Sequence, residues 1–226
     1  MTLSDAADVS GVLALLIVLA AYGRLHRSAR EHLRAYLAAV RIWASGPAGQ
    51  GWTPENIEDV ETMLKWHHPK FSPLPLPVAG GLTQLTTIEN LFLSKDLREA
   101  VVHLGIAVEL FNSQVETLRA FDGGSVTALV EVSRKLSDIY EADDRDGIAF
   151  KKPVGREVVS DGTRGTEVSV QEVLDAAGLT AYEEAWARHR FEILRIAHGV
   201  LIGDAQSRRG IFGHLDNLER VLRAET

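Results

Sequence analysis

Cysteine is absent from this chain of 226 residues, which removes disulfides, thiolate zinc sites, iron–sulfur clusters and cysteine nucleophiles together. Any metal would rest on histidine and carboxylate ligands alone. Phosphate-binding loops, glycine-rich dinucleotide turns, a nucleophile elbow and a His-Glu-x-x-His zinc helix are missing too, so the enzymes most easily read from sequence are excluded. Positive charge is also in deficit, with 24 Lys and Arg against 31 Asp and Glu for a formal net charge of −7. What basic charge there is clusters early. Arg24, Arg27, Arg30, Arg34 and Arg41 share a stretch with the single acid Glu31, and from residue 42 onward the net charge is about −9. A body that acidic repels phosphate backbones, whose neutralisation supplies most non-specific affinity, and this argues against nucleic acid as a partner.

The composition that remains, 46% hydrophobic and 24% charged, is that of a folded globular chain. One long apolar run stands out at residues 9–23, bounded by Asp8 and Arg24. As a helix it spans about 22 Å, short of a hydrocarbon core of about 30 Å. Ala6 and Ala7 extend it at one end, and at the other Arg24 and Arg27 can snorkel around Leu25. A cleaved signal peptide would want a basic start where this chain has Asp5 and Asp8. A buried helix of a soluble core would carry its apolar residues on a stripe, whereas here they occur all round, with Tyr22 at an interface position and arginines directly after. The expectation is a single-pass membrane helix contacting the bilayer through residues 9–23. By the positive-inside rule its N-terminus lies outside and the body is cytoplasmic, at the cell membrane. Leu25, Leu33, Tyr36, Leu37, Val40 and Trp43 continue at helical spacing with no break before Gly46-Pro47, so one helix is expected to about Ala44.

Thr53-Pro54 followed by Glu55, Glu58 and Asp59 signals a helix start, with the helix ending at His67-His68-Pro69. Pro69, Pro73, Pro75 and Pro77 then mark a polyproline-like linker. A short helix with Leu82, Leu85, Ile88 and Leu91 is expected next. A long one follows, capped by Ser94, with Leu97, Val101, Leu104, Val108, Phe111, Val115 and Leu118 as its apolar stripe. Asp122-Gly123-Gly124 breaks that pattern, and Ser125 is the expected cap of the next helix. Residues 143–168 carry the signals of a long loop or of one small β-hairpin turning at Asp161-Gly162. Two capping boxes, Ser169 with Glu172 and Thr180 with Glu183, reopen helices. Trp186, Phe191, Leu194, Ala197 and Leu201 face the core from the longer of them. Gly203 and Gly210 bracket a turn, and Leu215, Leu218, Val221 and Leu222 define a last helix.

Few residues suggest chemistry. Glu99 with His103 and His189 with Glu192 are one helical turn apart, a permissive spacing for a carboxylate-bridged metal site between helices. Yet the spacings differ, four in one pair and three, reversed, in the other. No metal and no cofactor is therefore expected. The stretch Arg209-Gly210-Ile211-Phe212-Gly213-His214 resembles the Arg-to-His spacing of the HEPN ribonucleases. The resemblance implies a dimerising helical bundle that cleaves RNA without metal, His214 as acid or base and Arg209 steadying phosphate. It departs from the family at Gly210, where a polar residue is usual.

The sequence therefore predicts an all-α fold: residues 1–44 an anchor and juxtamembrane helix, 45–81 a short helix and Pro-rich linker, 82–226 a cytoplasmic helical bundle. The function expected is that of a membrane-anchored binding or regulatory protein with no catalytic motif, contacting an unidentified protein partner and open to homo-oligomerisation. Two alternatives are a membrane-tethered HEPN-like ribonuclease using Arg209 and His214, and an oligomerising effector that perturbs the membrane through the small-residue face at Ser10, Gly11 and Ala14.

Overall fold

The structure, a computed structural model, describes residues 3–45, 64, 67, 93–142, 148–151, 154–160, 163–203 and 210–224; for 3–16, 45, 141–142, 148–149, 156–160 and 163–167 it describes the backbone only. The architecture is predominantly α-helical, as the apolar periodicity predicts. The helix expected at 53–66 is described at Leu64 alone, His67 is helical and buried just beyond its predicted end, and the Pro-rich linker and the short helix at 82–91 lie outside the described residues.

Helix α1, Leu3–Ser45, runs without interruption for 43 residues, about 65 Å at 1.5 Å per residue. No proline stands within it, and the helix continues through both Gly11 and Gly23. Helix α2, Lys95–Gly124, begins at Ser94, whose hydroxyl accepts from the Leu97 amide at 3.1 Å. All seven residues of its predicted stripe are buried, joined by Ala100. The helix does not stop at Asp122 but continues through Gly124 before α3, Val126–Ser137. Ser125 sits between the two, yet its side chain makes no capping bond; its backbone N–H donates to the Asp122 carbonyl instead.

The loop region holds two hairpins where the sequence suggests at most one. β1, Tyr140–Ala142, pairs antiparallel with β2, Ile148–Phe150. β3, Arg156–Ser160, pairs with β4, Thr163–Glu167, placing Ser160 opposite Thr163 across the expected Asp161-Gly162 turn, itself outside the described residues. Helices α4, Val170–Ala176, and α5, Ala181–Ile202, each open with a complete capping box, Ser169 with Glu172 and Thr180 with Glu183. Glu183 also takes a 2.6 Å ion pair from Lys135 of α3, which with the Thr180 amide holds its carboxyl down at about 2. Helix α6 is Ile211–Ala224. The bracketing glycines have a packing reason: Gly203 ends α5 with φ of 93°, and a Cβ on Gly210 would come within 2.2 Å of the backbone at Ile202 and Gly203. Backbone crosses backbone there, and only glycine fits.

Two apolar clusters organise these elements. The first joins the second half of α1 (Ala29, Leu33, Tyr36, Leu37, Val40, Trp43) to α2, the C-terminal half of α5, and α6. The second joins α3, Tyr140, Val154, α4 and the N-terminal half of α5, with Leu64 in its midst. Phe121 and Phe191 pack against both. Helix α6 runs antiparallel to α2: His214 near its start faces His103, and Val221 and Ala224 near its end lie by Asp96 and Ala100.

Phe111 is fully buried at the centre of the first cluster, edge-on to Trp43 with ring centroids 6.0 Å apart. Phe111→Ala is expected to cost about 3–5 kcal/mol, through lost burial and the cavity left behind. Thermal or urea unfolding measures it. A loss under about 1 kcal/mol would mean that the α2 stripe is not a core.

Candidate functional site

The surface that calls for explanation is the first part of α1. From Ala29 to Trp43 the helix buries one stripe and exposes the rest, as an amphipathic helix must. Residues 17–24 are exposed all round instead, with Ile17 at 62%, Val18 at 63%, Leu19 at 56% and Tyr22 at 48% of full exposure. Tyr22 stacks on His26, ring centroids 6.1 Å apart. Moving each of these apolar side chains out of water would be worth about 1–2 kcal/mol. Among the described residues no helix is long and apolar enough to cross a membrane. Only residues 17–23 of the expected 9–23 anchor have described side chains.

The arginine cluster beyond this segment divides in two. Arg30 is half-buried and donates at 2.9 Å to the Leu222 carbonyl near the end of α6, while Arg41 pairs with Glu219. Both brace α1 against α6. Arg24, Arg27 and Arg34 are exposed and, among the described residues, make no ion pair or hydrogen bond.

A second candidate lies in the distal cluster. His67, 1% exposed, stacks on Phe191 at 6.3 Å, and its backbone carbonyl accepts from the Ser133 hydroxyl at 2.8 Å. Its Nδ1 is buried without a hydrogen-bond partner. Beside it a cavity of about 460 Å³ is floored by Leu174, Ala187 and Phe191 and rimmed by Arg188 and Arg195. Arg190, 1% exposed, grips Asp122 with two hydrogen bonds of 2.8 and 2.9 Å. Leaving either charge alone there would cost about 3–5 kcal/mol. Sequence reasoning missed Arg190, although its place four residues from both Trp186 and Leu194, on the buried face of α5, was a signal of a buried cation.

The residues singled out in sequence fare differently. Glu99 and His103 sit near the start of α2 and His189 packs on Phe121 near its end, ring centroids 5.0 Å apart. The two pairs are thus about 27 Å apart along the helix, and among the described residues no three metal-binding groups converge. His214 is half-buried in the first turn of α6 with its ring 6.0 Å from that of His103. Arg209 lies outside the described residues. Comparison with protein-family models, with curated proteins and with solved structures finds none that matches this chain.

Burial, and behind it the charge of Arg190, push the His67 imidazole from 6.5 down to about 3. Above pH 6.5 folded and unfolded chains both hold it neutral, so no stability depends on it. Below that, the unfolded chain binds a proton that the folded protein refuses until about pH 3, and stability falls by up to about 1.4 kcal/mol per pH unit. The melting temperature of wild type is therefore expected to drop more steeply between pH 6.5 and 4 than that of His67→Leu. Equal slopes would contradict the buried neutral histidine.

Proposed function

We propose that this chain is a single-pass membrane protein whose helical body acts as a binding or regulatory module held against the cytoplasmic face of the bilayer. The observation that carries the reading is the change in α1 from a helix exposed and apolar on every side at 17–23 to one with a single buried stripe from Ala29 onward. A helix satisfies its own backbone polar groups, so its apolar part can enter lipid without a partner. The arginines that follow set the orientation, with the acidic N-terminal residues outside. On the body, Val102, Ile106 and Leu110 form a row on the face of α2 opposite the core, each about half exposed. That row suits contact with another protein chain, a second copy included.

Removing residues 1–24 leaves in place every residue of α1 that is buried among the described ones, the first of which is Ala29. The full chain is expected to stay with the membrane pellet after alkaline carbonate, and the truncated chain to move to the supernatant with its fold intact. A truncated chain that still pellets, or a full chain that carbonate extracts, would overturn the reading.

A further inference from the structure

We infer that Arg24 and Arg27 form an anionic-lipid headgroup site at the boundary of the membrane segment, distinct in role from the three other arginines of α1. The inference rests on the membrane reading above and deepens it. The five arginines look equivalent in sequence, since Arg27, Arg34 and Arg41 repeat every seven residues and Arg24 and Arg30 flank them on the same side of the helix. The structure separates them by partner: Arg30 and Arg41 are committed to α6, through Leu222 and Glu219, and Arg24, Arg27 and Arg34 have none among the described residues.

Distance then separates the unpartnered three. If Tyr22 marks the interface, as aromatic side chains do at the ends of membrane helices, Arg24 and Arg27 stand about 3 and 8 Å beyond it along the axis. A headgroup layer is about 5–7 Å deep on each side of the hydrocarbon, so Arg24 lies within it, and Arg27, at its edge, reaches back into it because helical side chains lean toward the N-terminus. Arg34 stands about 18 Å out, beyond a Debye length of about 8 Å at physiological salt. Glu31 shares this face, four residues from Arg27 and about 14 Å beyond Tyr22, also outside the layer. Three residues apart on one face, Arg24 and Arg27 can engage neighbouring phosphates, and the planar guanidinium suits a phosphate diester held bidentately. The remaining body, at about −9, gains from this arrangement: two arginines attract an anionic surface that the acidic bundle would otherwise be repelled by.

The test uses the full chain reconstituted into bilayers of phosphatidylcholine with about a third phosphatidylglycerol. Spin-labelled versions of each lipid report the motionally restricted shell around the protein. An arginine near an anionic surface is worth about five-fold at a single contact, which averaged over the shell should give a phosphatidylglycerol preference of about two-fold. Arg24→Gln with Arg27→Gln is expected to bring the ratio to about one, as is raised salt, while Arg34→Gln leaves the wild-type ratio. A restricted shell with no preference in wild type, or a preference that Arg34→Gln removes and the double variant keeps, overturns the headgroup site but not the anchor. No restricted shell in any of them overturns the membrane reading and this inference with it.

Discussion

The uninterrupted backbone ladder of α1 is the constraint on which the rest of this protein depends. Because the helix does not stop between its apolar segment and its core-forming segment, whatever the first enters is mechanically continuous with the second. Ala29, the first buried residue among those described, stands seven positions beyond Tyr22, about 10 Å of helix. On the membrane reading proposed above, the bundle therefore cannot drift away from the bilayer as a tethered domain would. Arg30 and Arg41 tighten the arrangement by tying α1 to the last turns of α6, so the C-terminal helix packs beside the core-forming half of α1.

From there the fold is built outward along α2. Its 30 residues carry the first apolar cluster from Leu97 to Leu118 and reach Asp122 at the far end, where the buried Arg190 joins α5 to it. The second cluster, with the β1–β2 hairpin and with His67 seated by the carbonyl bond to Ser133, forms the end away from α1. Phe121 and Phe191 belong to both, which makes the two clusters one cooperative unit rather than two independent ones. The glycine pair at Gly203 and Gly210 lets α5 give way to α6 while both stay packed on α2.

What was legible in the sequence follows the strength of the physical signal. The α2 stripe and the buried face of α6 were readable because three-and-four spacing over several turns has no other interpretation, and both capping boxes formed because the reciprocal bonds are local. The hairpin of β1 and β2 was invisible: strands of three residues are too short to show a period of two. Ser125 misled because a hydroxyl after two glycines resembles a cap, whereas the turn is closed through its backbone. Arg190 was passed over because a charge on an apolar face reads as surface until its partner is known, and Asp122 lies 68 residues away. The same limit applied to the arginines of α1, whose division into braces and free side chains is set by α6 and not by their own spacing.

The central claim, that α1 passes from lipid directly into the protein core, can be tested residue by residue because the chain has no cysteine of its own. Single cysteines placed from residue 17 to residue 44 in the reconstituted full chain, labelled with a nitroxide, report access to oxygen, which concentrates in lipid, and to a water-soluble nickel chelate. The account predicts high oxygen and low nickel access without periodicity over 17–23. From Ala29 onward it predicts a 3.6-residue period with Ala29, Leu33, Tyr36, Val40 and Trp43 closed to both. A helical period already present over 17–23, with one face open to nickel, would show that segment lying on protein or in water and would contradict the account.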